Sequence, residues 1–196
     1  RDVYGAAHAG LDLDYFLRAA LLPTPRAAPF VGVCFGSVDP ATRLLTGTRK
    51  FGDLAGRDER DHEWGLLEYG GCEVTAFTQM VDAGIKAAGV HQVTSGHTDD
   101  SPRVRELIRP AFGYGDELRA LCLDQGHLWG ATALFRSTDD RPFDADEVAF
   151  LAALSCIMGA GVRGGLLASL SASAPLASPV GPGVMIVGDD DTVVQV

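Results

Sequence analysis

Lysine is nearly missing from this chain: Lys50 and Lys86 are its only two, and sixteen basic residues face twenty-six acidic ones for a net charge of −10. Phosphate contacts need a basic face, so this segment is not expected to bind nucleic acid directly. Cysteine is sparse as well. Cys34, Cys72, Cys122 and Cys156 lie far apart with no CxxC pair, which leaves no zinc-ribbon or dithiol motif. Cys34, Cys122 and Cys156 fall in apolar segments, where a thiol behaves as a small hydrophobe. Free thiols in a reducing cytoplasm are expected, with Cys72 the most reactive.

Other signatures are absent too. The sequence holds no P-loop, no dinucleotide fingerprint and no recognisable Ser/His/Asp arrangement. His91, His97, Asp99 and Asp100 match no familiar zinc spacing, and Asp189-Asp190-Asp191 lacks the glutamate that closes a calcium loop. Neither a metal nor a cofactor is expected. No signal peptide is visible. The uncharged run Ala149–Val162 is 14 residues, too short to span a bilayer. Gly164–Gly188 is interrupted by Pro175, Pro179 and Pro182, which rules out a membrane helix. A cytoplasmic protein without a membrane partner is expected.

What is present centres on Gly113–Leu170. Asp116–Leu123 alternates, with Leu118, Ala120 and Cys122 on one side and Arg119, Leu121 and Leu123 on the other. Gln125-Gly126 supplies a tight turn, and His127–Arg136 runs back as the second strand of a hairpin. Asp144 and Glu147 then form a capping box, with Phe143 and Val148 as a hydrophobic staple. The helix that follows is rich in small residues, including Gly159, Gly161, Gly164 and Gly165. Each glycine costs about 1 kcal/mol in a helix interior. Two readings stay open: the helix frays after Met158, or another helix lies very close to its small-residue face.

Upstream, Leu11–Leu22 reads as a helix with Leu13, Phe16, Leu17, Ala20 and Leu21 as its apolar stripe, stopped by Pro23 and Pro25. Phe30–Val38 and Leu44–Phe51 read as a second hairpin. Arg57–Cys72 reads as a charged helix start followed by Trp64, Leu66, Leu67 and Tyr69 on an apolar face. Val74–Met80 reads as a short helix and Val90–Thr94 as a short edge strand. Ser101 is placed to cap a helix over Pro102–Ile108 that Pro110 ends. Arg103, Arg105 and Arg109 lie among Asp99, Asp100, Glu106, Asp116 and Glu117, which points to ion pairs within the domain. Arg119 stands in an apolar strand and needs a partner; Asp116, Glu117 or an acidic ligand are the candidates. The chain begins at Arg1 and ends in mid-pattern, which reads as a piece of something longer.

Taken together, Leu11–Leu22, Phe30–Gly47, Glu68-Tyr69…Phe77, Ser101–Arg136 and Arg141–Leu167 resemble a GAF domain. More narrowly they resemble the GAF-like sensor region of actinobacterial LuxR-type helix-turn-helix regulators, with Ser101-Pro102-Arg103…Leu107, Gly115–Arg119 and Trp129-Gly130 carrying most of the likeness. The arginine and alanine bias fits a GC-rich bacterial genome. The resemblance implies an α+β fold: an antiparallel sheet with flanking helices and a long C-terminal helix. It implies a sensor domain over residues 11–170, a linker over 171–182, and at 183–196 the first hairpin of a truncated PAS-like domain. It further implies a non-enzymatic signalling role in transcription regulation, with a small-molecule pocket on the sheet face away from the first and last helices. Phe35, Trp64, Tyr69, Phe77, Arg119 and Trp129 are the candidate lining. A homodimer through Leu11–Leu22 and Asp144–Leu170 is expected. The alternatives are a GAF-fold thiol-dependent methionine sulfoxide reductase and a purely structural dimerisation module.

Overall fold

The hairpin at the centre of the sequence is also the centre of the sheet. The computed structural model describes residues 3–71, 73–172, 186–187 and 193–195. In chain order these form α1 (Val3–Ala7), α2 (Leu13–Leu21), β1 (Gly32–Val38), β2 (Leu45–Gly52), α3 (Asp61–Tyr69), α4 (Phe77–Asp82) and β3 (Ala87–Gly89). Then come α5 (Val90–Val93), a π-helical segment (Val104–Phe112), β4 (Tyr114–Asp124), β5 (His127–Ser137) and α6 (Ala145–Ala172). The five strands make one sheet in the order β2-β1-β5-β4-β3, every pairing antiparallel. Separately, Ile186–Val187 pairs with Val193–Gln195. The assignment of that hairpin to a PAS-like domain and the linker before it lie largely outside the described residues.

The turn between β4 and β5 has Gln125 at φ 51° and Gly126 at φ 81°, the conformation whose twist matches a tight hairpin. The capping box at α6 is formed reciprocally. Asp144 N–H donates to Glu147 at 2.9 Å and Glu147 N–H to Asp144 at 3.0 Å. Phe143 is buried in the cluster that Val148 packs against.

α2 and α6 cover one face of the sheet. All five residues of the α2 stripe are buried, and Phe16 and Leu17 share a core cluster with Phe35, Cys122, Met158 and Val162. α6 runs unbroken through its glycines. A Cβ on Gly161 would collide with the Phe16 ring, one on Gly165 would lie 2.8 Å from Leu13 Cα, and one on Gly159 would strike the Leu123 backbone. The close partner of the small-residue face is therefore α2 and β4 of the same chain. By length and composition α6 could cross a membrane; its inner face is instead core.

Four sequence readings need correction. Val90–Val93 is a turn of helix, and the edge strand is Ala87–Gly89 just before it; two valines suggested a strand, but Val90 is buried against the π-helical segment. The short helix read at Val74–Met80 begins later, at Phe77. The segment begun at Ser101 continues through Pro110 to Phe112, because wide π turns ease the clash of the proline ring with the carbonyl four residues back. And Cys156 is exposed, on the outer side of α6.

Candidate functional site

The face of the sheet opposite α2 and α6 is only partly covered, and the uncovered part is a cleft of about 710 Å³ between β1, β2, β5 and α3. Its floor owes its depth to small residues. Cys34 on β1 and Ala131 and Ala133 on β5 point into it where larger strand residues would fill the space, while the room left at Gly36 is taken by the Leu45 side chain. Trp64 stands as a wall, braced by Phe112 and Phe135 with ring centroids 5.5 and 5.6 Å away. Tyr69 stands at the exposed rim, where its hydroxyl accepts the Leu45 N–H at 2.7 Å.

Arg119 closes the inner end. Its guanidinium lies 3.4 Å from the Phe77 ring centroid. It donates to Glu68 Oε2 and to the Thr75 carbonyl, both at 2.6 Å. The principal partner is thus Glu68, 51 residues away in sequence; Glu117 stands at 3.5 Å. Asp116, the other candidate, is engaged elsewhere, accepting the N–H groups of His91 and Phe143.

Behind Arg119 lies a buried ion network. Arg103, fully buried, donates Nε and Nη2 to Glu117 at 3.0 and 2.7 Å and Nη2 to Thr75 at 2.8 Å. Its backbone N–H reaches Glu73, which also accepts the Ser101 hydroxyl at 2.9 Å. Three carboxylates, of Glu68, Glu73 and Glu117, face two guanidiniums. Burial alone would raise the Glu68 carboxyl, but Arg119 and Arg103 hold it below the ordinary carboxylate range. The neighbouring Arg105 and Arg109 pair with Glu106 and Asp99 near the surface.

Of the six residues expected to line a pocket, Trp64, Tyr69, Phe77 and Arg119 meet at this cleft. Phe35 and Trp129 do not: both pack on the α2–α6 side. Phe35 alternates with Cys34 and Gly36 and so faces away from them. Trp129 is displaced by a bulge, since β4 and β5 shift register between Cys122 and Leu123, and one extra residue turns its side chain to the other face. Glu68 and the small floor residues were missed in the sequence. Glu68 enters there only as part of the Glu68-Tyr69…Phe77 stretch of the resemblance, with no role in a site.

The thiols bear on catalysis. Burial pushes the Cys34 thiol up to about 12, against a pull from Lys50, and burial alone pushes Cys122 up to about 12. Attack requires thiolate, which this shift disfavours at neutral pH. With Cys72 replaced by serine, a maleimide reagent is expected to modify Cys156 first and Cys34 and Cys122 slowly. Rapid modification of Cys34 would restore the reductase alternative.

An antiparallel five-stranded sheet, with two helices on one face and a cleft under a short helix on the other, is the fold of GAF domains. Three solved structures share it. The GAF domain/HD domain protein from Geobacter sulfurreducens superposes with a TM-score of 0.56 at 14% identity, covering 84% of this chain and 98% of that one. The VqsR LBD domain from Pseudomonas aeruginosa gives 0.52 at 14%, covering 82% and 94%. An N-acylhomoserine lactone dependent LuxR family transcription factor from Burkholderia cenocepacia gives 0.50 at 15%, covering 86% and 93%. No protein-family model and no curated protein matches the sequence.

Proposed function

We propose that this chain is a cytoplasmic, non-enzymatic sensor domain of a bacterial transcription regulator, in which a small molecule enters the cleft beside α3 and α6 passes the change onward. The observation that carries this reading is the cleft itself: a concave, mostly apolar site with a few converging polar groups is the usual form of a ligand pocket. The fold neighbours that sense ligands support it. DNA contact would fall to other segments of the regulator, given the charge of this one. The hairpin at Ile186–Val187 and Val193–Gln195 is read as the start of a PAS-like domain that would receive the signal.

Filling the floor tests the reading. Ala133→Leu is expected to abolish saturable binding of the neutral dye Nile red while leaving the far-ultraviolet dichroism unchanged. Unaltered dye binding would place the ligand elsewhere and defeat the reading.

The proposed homodimer must use a different surface from the one the glycines suggested, because Gly161 and Gly165 are filled by α2 of the same chain. The outer side of α6, with Ala149, Ala153, Cys156 and Gly164 exposed, is what remains for a second copy. A helix that is apolar all round is ordinarily buried all round. The maleimide experiment reads this directly: modification of Cys156 should slow as protein concentration rises. A rate independent of concentration up to high micromolar protein argues for a monomer.

A further inference from the structure

Among the described residues, each carboxylate and guanidinium lining the cleft is already closed on a protein partner, and the lining also includes His62. Arg119 gives its two terminal nitrogens to Glu68 and the Thr75 carbonyl and lays its flat face on Phe77. Glu68 uses both oxygens, one for Arg119 and one for the Phe77 N–H at 2.6 Å. Asp61 holds Lys50 and accepts the Thr48 hydroxyl at 3.2 Å. Lys50 in turn spans Asp58, Asp61 and the Arg57 carbonyl. An incoming anion would find its one guanidinium engaged and two carboxylates beside it. An incoming cation would find those carboxylates taken and Arg119 facing it. Either ion would give up its water with no free counter-charge to replace it.

The uncharged surface fits the opposite kind of guest. The floor is a piece of sheet carpeted by Cys34, Ala131 and Ala133, with the Leu45 side chain over Gly36, and Trp64 rises beside it. A planar ring laid on that floor touches main chain and methyl groups and displaces water from apolar surface, which is the favourable term. We propose that the cleft selects an uncharged, largely apolar, ring-bearing molecule and rejects ions of either sign with the same skeleton. This rests on reading the cleft as the ligand site.

Three naphthalenes of similar size test it in equilibrium titrations against the full 196-residue chain: 2-acetylnaphthalene, 2-naphthoate and 2-naphthylmethylammonium. The ketone is expected to bind at least about tenfold more tightly than either ion. Its binding should vanish in Ala133→Leu. It should vanish too in Thr46→Trp, which plugs the exposed rim at the loss of one hydrogen bond to Ser37, with far-ultraviolet dichroism as the check on folding. If an ion binds as tightly as the ketone and both variants abolish that binding, the site stands and the selectivity is wrong. If no probe binds, or binding survives both variants, the cleft is not a ligand site and the inference fails with it.

Discussion

Replacing Arg103 by methionine is expected to cost about 3–5 kcal/mol of folding free energy, the range for removing one partner from a buried ion pair. The side chain is fully buried, and three carboxylates converge on it: Glu117 at 2.7 Å, Glu73 at 3.5 Å and Glu68 at 3.6 Å. Without it Arg119 alone faces all three, and methionine offers volume but no donor. Much of the loss is the penalty of leaving charge buried and unpaired, so a compensating change should recover part of it. The double variant Arg103→Met/Glu117→Leu should be more stable than Arg103→Met alone. Arg105→Met is the control, because Arg105 and its partner Glu106 are both about half exposed and such pairs contribute little. Urea denaturation measures all three variants. A loss at Arg103 no larger than that at Arg105 would mean that the network does not hold the π-helical segment to β4.

The second large effect is expected from a single methyl group. Gly159→Ala places a Cβ against the main chain of Leu123, opposite the bulge in β5, where no side chain can swing aside. Overpacking typically costs 1–3 kcal/mol and occasionally more. With backbone as the obstacle, about 3 kcal/mol or more is expected. Gly164→Ala, five residues along the same helix, meets nothing within 4 Å and should stabilise by roughly 0.5–1 kcal/mol through helix propensity alone. The opposite signs make the pair diagnostic. If both substitutions stabilise, α6 does not lie against β4 as closely as described; if both destabilise, the outer side of α6 is already covered.

Features of the fold that were legible in the sequence depend on residues a few positions apart. The box between Asp144 and Glu147, the Gln125-Gly126 turn and the stripe from Leu13 to Leu21 are each written within one or two turns of chain. The continuity of α6 was left open there, since what offsets its glycines is Phe16 and Leu13, almost 150 residues upstream. The candidate site was half legible. Aromatic residues and a strand arginine mark it, and four of the six named side chains do meet at the cleft. Phe35 and Trp129 failed for different reasons: a strand apolar on both sides does not say which side is which, and the bulge at Trp129 shifts parity where the adjacent Gly130 by itself does not specify one. Arg119 demanded a partner, but Glu68 lies 51 residues away on a helix whose neighbouring charges face water.

Arg119 is at once a wall of the cleft and a member of the ion network that fastens β4 to the segments before it. A mutation there changes the shape of the pocket and the stability of the fold together, so natural variation has little room at that end. The floor is different. Cys34, Gly36, Ala131 and Ala133 hold no ion pair and sit on strands whose pairing is made by main chain. Under the proposed function, relatives adapting to other molecules would diverge first across the floor and rim while keeping the arginine end nearly constant. The pattern of tolerated substitutions in a deep mutational scan, selected once for folding and once for response, should divide the cleft along that line.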